Sequence, residues 1–164
     1  MDGTCEDLSM RGRTMIRRIE DLQSAIELAP ALEAYASQAT AEFRDGPLAE
    51  GTCRRFFGKR FSEPETVLVV AETAARRSDL GVCVSGPFED PLTGVRVPMV
   101  LILFVSPNAR HQGLAAKLVA EVSAVLRERG MTSLAARAGH NDDALISMGE
   151  RWGFVRTWEM MVRE

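Results

Sequence analysis

The stretch that most constrains the fold runs from Val97 to Arg129, where an apolar run stops, a polar break follows, and a periodic segment begins. Val97 to Val105 (V-P-M-V-L-I-L-F-V) is apolar without alternation, which predicts the central strand of a sheet with helices packed on both faces. In Gly113 to Arg129, the residues Leu114, Leu118, Val122, Val125 and Leu126 form one helical stripe. Gly130 suits the position just past the end, and Arg127 and Arg129 lie where positive charge meets the negative pole of the dipole. The break, S-P-N-A-R-H-Q, is therefore a strand-to-helix turn. The first turn of a helix carries unpaired N–H groups and the positive end of the dipole, which together favour an anion. Gly113 allows close backbone approach, Ala115 and Ala116 add little bulk, Arg110 brings a permanent charge, and Lys117 lies one turn in. From the residues alone this is either an anion site or a tight turn whose glycine serves packing.

The remainder reads as mixed α/β. Residues 1–13 have no period and read as a flexible tail, with one domain over 14–164. A short strand is expected over Thr14–Glu20, with Asp21 capping the turn after it. Pro30 suits a helix start, and Leu32, Tyr35, Ala36, Ala39 and Phe43 recur at helical spacing from it until Gly46-Pro47. A second helix spans Thr52–Ser62 and stops at Pro64. Val67–Glu72 and Leu80–Ser85 read as antiparallel strands joined by the polar turn 76–79, and 86–94 as a loop rich in turn residues. A strand over Ser133–Arg137, a helix from Asp142 to Arg151, a break at Gly153 and a last strand over Phe154–Val162 complete the order.

Composition excludes several function classes. The net charge of −3 argues against a dedicated nucleic-acid binder. The nearest basic stripe, Arg54, Arg55, Lys59 and Arg60, reads as the solvated face of an amphipathic helix, with an acidic partner or phosphate as the alternative. Cys5, Cys53 and Cys83 are odd in number and far apart, so they make no disulfide framework. The two histidines have no ligand spacing, which points away from a metal site. The longest apolar run, Met99–Val105, is too short to span a bilayer, and Met1–Arg13 has no signal-peptide core, so a cytoplasmic protein is expected. No G-x-G-x-x-G follows a strand and no G-x-x-x-x-G-K-[ST] is present, which weakens dinucleotide-binding and P-loop readings.

Pro107, Arg110, Gly113 and Ala115, after an apolar strand and at the opening of an amphipathic helix, spell P-x-x-R-x-x-G-x-A. This resembles the acetyl-CoA motif of the GNAT superfamily of N-acyltransferases, whose core phrase is Q/R-x-x-G-x-G/A. The segment 133–137, then Asn141, Ala144 and Leu145, then Gly153-Phe154, is similar to that family's downstream order. The resemblance implies an α/β fold of the α+β type, with a mixed, mostly antiparallel central sheet flanked by helices and splayed at the acetyl-CoA strand. It implies acetyl-CoA as acyl donor, an unidentified primary amine of a small molecule or peptide as acceptor, and direct attack without metal or covalent enzyme intermediate. Arg110, His111, Gln112, Gly113, Leu114, Ala115 and Ala116 would hold the pyrophosphate, largely through backbone N–H groups. Phe104 and Val105 would pair with the pantetheine arm, the N–H of Val105 or one beside it would stabilise the oxyanion, and Asn141 would lie near the arm. A homodimer is compatible with this architecture.

The sequence departs from the pattern at both proton-transfer positions. The strand P98-M-V-L-I-L-F-V105 has no ionisable side chain to act as base. Glu72 at a strand end, His140 in a later loop, and Glu89 or Asp90 are the alternatives, each also readable as an ordinary surface residue. The last helix has no tyrosine to protonate the leaving thiolate: Met148 and Gly149 occupy that region, with the hydroxyl of Ser147 beside them. Tyr35, the only tyrosine, falls at apolar spacing and reads as core. These gaps motivate an alternative, a catalytically weak acyl-CoA-binding sensor or interaction module on the same fold.

Overall fold

The computed structural model describes residues 14–38, 48–73, 80–138 and 142–157. The expected tail 1–13, the turn 76–79, Ala39, Phe43, the Gly46-Pro47 stop, His140 and Asn141 lie outside these residues, as does the chain from 158 onward. Four strands, β1 (Met15–Ile19), β2 (Val67–Glu72), β3 (Gly81–Glu89) and β4 (Arg96–Val105), form one antiparallel sheet in the order β1-β2-β3-β4. Strand side chains alternate between faces. Ile19, Leu68, Val70, Val82, Val84, Ile102 and Phe104 pack under α1 (Leu22–Gln38) and α2 (Thr52–Arg60). Val67, Val69, Ala71 and Cys83 pack on the opposite face against Leu114, Leu118, Val122 and Leu126 of α3 (Leu114–Glu128).

α1 begins earlier than the sequence suggests, and Pro30 lies inside it. The Asp21 carboxylate accepts the Ser24 N–H at 2.8 Å and caps the helix there. The buried stripe Ala25, Ala29, Leu32 and Ala36 then runs straight through the proline. An interior proline costs a hydrogen bond and roughly 3 kcal/mol. Pro30 is exposed, so its ring stands in solvent while the stripe on the other side holds the helix to the sheet. α2 ends at Arg60, two residues before the expected stop.

β3 continues through Gly86-Pro87 to Glu89, so the expected 86–94 loop shrinks to a tight turn after Glu89. Pro87 sits opposite Pro98. The Pro98 C=O faces away from β3 and accepts the Ala135 N–H at 2.8 Å. The two prolines therefore meet at a non-hydrogen-bonded position, where their missing N–H groups cost the ladder nothing. Asp90 ties the turn, accepting from the N–H groups of Leu92 (3.0 Å) and Thr93 (2.8 Å).

β4 is apolar towards both faces, as expected, but it closes the described sheet instead of lying inside it. The expected strand over 133–137 reduces to a single parallel bridge, Met99 to Ala135. Beyond Val100 the outer edge of β4 has no backbone partner among the described residues, which is the splay. α4 (Asp143–Arg151) is capped by Asp142, whose carboxylate accepts the Leu145 N–H at 2.9 Å. Phe154 to Thr157 are not in a strand.

Candidate active site

The end of β4 is organised by a bulge that the sequence does not announce. Val84 pairs with Ile102 and Ser85 with Val100, leaving Leu101 as the extra residue. Before the bulge Val100 turns its N–H outward, to the Ala135 C=O at 2.8 Å. After it, Ser106 turns its N–H inward, to the Leu80 C=O at 2.9 Å. Alternation between these two points directs Phe104 into the ladder with Val82 and turns the amides of Leu103 and Val105 to the open edge. Of the two strand-end residues named from the sequence, only Val105 offers its backbone there, and Leu103 joins it. The signal that could have found the bulge is Gly86, a glycine inside a strand. A Cβ on Gly86 would come within 2.7 Å of Leu101 Cδ1 and 2.8 Å of Phe56 Cζ.

The turn after β4 brings the remaining motif residues together. Pro107–Ala109 form one 3-10 turn, closed by the Arg110 N–H on the Pro107 C=O at 3.4 Å. The backbone N–H of Arg110 is thus engaged, and its contribution falls to the side chain. That side chain is exposed and folds back, its Nε donating to the Val105 C=O at 3.1 Å. His111 (φ 63) and Gly113 (φ 70) both take the left-handed conformation, and Gln112 between them donates weakly to the Asn108 C=O at 3.4 Å. Gly113 is the cap residue of α3 and has no side chain to satisfy the helix start. Among the described residues nothing accepts the N–H groups of Gly113, Leu114, Ala115 or Ala116. An exposed loop, an uncapped helix start and a guanidinium at one strand end suit a diphosphate.

The proton-transfer alternatives fare differently. Glu72 is 3% exposed, and both its oxygens accept from Arg17, at 2.8 Å from Nε and 3.3 Å from Nη2. Accepting a proton there would mean breaking that ion pair. Ser147 is exposed on α4, and Glu89 is exposed at the end of β3. Asp90 is committed to its turn, and the N–H of Thr93 holds its carboxyl below the usual aspartate range. Cys53 and Cys83 are buried, and burial pushes the Cys83 thiol up to about 12, so it is no nucleophile. Tyr35 is half-buried, and its ring stacks flat on Phe104, centroids 4.3 Å apart and 7° between planes. Among the described residues no cluster of His, Cys, Asp or Glu is placed to hold a metal, and no helix is long and apolar enough to cross a membrane.

A model of the acetyltransferase (GNAT) family matches residues 28–154. An aminoglycoside N-acetyltransferase, AAC(6')-Iy, solved in complex with CoA, superposes with a TM-score of 0.70 at 15% identity, over 93% of this chain and 95% of its own. A ribosomal-protein-alanine N-acetyltransferase from Brucella melitensis biovar Abortus 2308 gives a TM-score of 0.59 at 19% identity, over 92% and 98%. A glucosamine-6-phosphate N-acetyltransferase from Arabidopsis thaliana gives 0.61 at 14% identity, over 92% and 97%. No curated protein matches the chain in sequence.

Proposed function

Because the chain belongs to the acetyltransferase (GNAT) family, we propose that one domain over residues 14–164 transfers an acetyl group from acetyl-CoA to a primary amine. The observation that carries this reading is the continuity of the open β4 edge with the uncapped start of α3. Two outward amides, a guanidinium and a row of unpaired N–H groups follow one another along the path a CoA-like ligand would take.

Acetyl-CoA supplies the activated acyl group. His111, Gln112, Gly113, Leu114, Ala115 and Ala116 would hold its diphosphate, with the Arg110 side chain adding charge. The outward amides of Leu103 and Val105 would pair with the pantetheine arm, and Val105, or Leu103 beside it, would donate to the carbonyl oxygen as it gains negative charge. Asn141 belongs to the same reading through the motif. The chain's work is placement, bringing amine and acyl group into one geometry, with solvent taking the proton where no side chain is placed to do so. The three neighbours acylate an aminoglycoside, a protein alanine and a sugar phosphate, so the fold alone leaves the acceptor open.

The test is thiol release from acetyl-CoA across a panel of primary amines. The reading predicts release that depends on the amine and saturates. CoA binding without amine-dependent release across the panel would favour an acyl-CoA-binding module instead.

A further inference from the structure

The bulge that turns the Leu103 and Val105 amides outward also changes what the sheet presents to an acceptor. Leu101 and Ile102 both point to the face of α1 and α2: Leu101 reaches Gly86 alongside Phe56, and Ile102 joins the core on that face. Leu101 is nevertheless 39% exposed. Phe104 follows on the same face, covered by the ring of Tyr35. Beside the outward amides, an apolar strip is made by the exposed Leu101 and the half-buried rings of Phe56 and Tyr35, over the buried side chains of Ile102 and Phe104.

Charge around the strip points the same way. On α1 and β2, the carboxylates of Glu33 and Glu72 are already engaged. Glu33 accepts from the N–H groups of Gly51 (3.2 Å) and Cys53 (2.8 Å). Glu72 is paired with Arg17. The exposed side chains of α2 include Arg54, Arg55 and Lys59, and the helix has no acidic residue. A polycation would meet repulsion from the basic face of α2, whereas an apolar body would cover Leu101 and the two ring edges.

We propose that the acceptor is a monoamine with an aromatic or branched apolar body, seated on Leu101, Phe56 and Tyr35 with its amine towards the outward amides of β4. This rests on the acetyltransferase reading and narrows it. In the transfer, the C–N bond forms as the C–S bond breaks, the amine gives up one proton, and the thiolate gains one from solvent.

The experiment compares 2-phenylethylamine with kanamycin as acceptors in thiol release from acetyl-CoA, for the wild type, Leu101→Asp and Tyr35→Ala. Calorimetry with CoA on each protein provides the control. The expected result is a kcat/KM for 2-phenylethylamine at least about tenfold above that for kanamycin (~1.4 kcal/mol). Both variants should lose about tenfold or more of it through KM, with CoA affinity within about twofold of wild type. Preference for kanamycin overturns the proposal, as does an unchanged KM for 2-phenylethylamine in a Leu101→Asp protein that still binds CoA. Failure of the wild type to bind CoA would instead overturn the acetyltransferase reading itself.

Discussion

His111 and Gly113 hold the left-handed conformation within three residues of each other, and this sets the loop ahead of α3. A Cβ at Gly113 would meet nothing within 4 Å. Gly113→Ala should therefore cost only the backbone penalty, about 1–2 kcal/mol in urea unfolding; an unchanged midpoint would show that the loop relaxes. Asp21 offers a second residue-scale test. The N–H of Ser24 holds its carboxyl below the usual aspartate range in the folded state. A folded value below the unfolded one means the cap stabilises above the unfolded pKa and is lost as pH falls through the folded one. Asp21→Ala should lower Tm near neutral pH and leave it nearly unchanged at strongly acid pH, while Asp21→Asn should keep the cap without that pH dependence. Equal losses for Ala at both pH values would remove the cap from the account. Cys83, buried with its thiol pushed up to about 12, should resist iodoacetamide in the native protein and react only on unfolding, as peptide mass spectrometry would show. Rapid native labelling would contradict its burial.

Among the elements, α3 carries the load of the second core, with Leu118 and Val122 fully buried against β2 and β3. Leu118→Ala should lose about 2–5 kcal/mol in denaturant unfolding, and a loss under 1 kcal/mol would mean that the face is loosely packed. α3, α2 and β2 were legible in the sequence because each has a long period or a solid β-branched run. Pro30 and Gly86-Pro87 misled because local signals lost to tertiary ones. The Ala25–Ala36 stripe is buried against the sheet despite the proline, and Pro87 pairs with Pro98 at a position that needs no N–H. The segment 133–137 has the composition of a strand, yet only Ala135 meets β4, because the strands diverge beyond Val100. Divergence of two strands leaves no local mark in either.

Across the whole molecule, chemistry collects at one end of the sheet. Arg96, Glu63 and Glu65 close the far end of β4 with ion pairs, and Arg129 at the end of α3 donates to the carbonyls of Pro64 (3.0 Å) and Thr66 (2.9 Å). These contacts fix α3 at its C-terminal end while its N-terminal end stays open to a ligand. The strand-to-helix turn was legible because Pro107, Arg110 and Gly113 each do local work. The bulge at Leu101 and the Tyr35–Phe104 stack were not, since each depends on a residue distant in sequence. The central claim, that main-chain N–H groups at the start of α3 grip the donor, is tested by titrating CoA calorimetrically into the wild type and Ala115→Pro. The first turn of a helix tolerates proline, and the N–H it deletes has no acceptor in the described fold, so Tm should fall little. The account predicts that the wild type binds CoA and that Ala115→Pro binds it about tenfold or more weakly, as one lost charge-assisted hydrogen bond implies. Equal affinity in a folded Ala115→Pro protein, or no heat from the wild type at millimolar CoA, would contradict it.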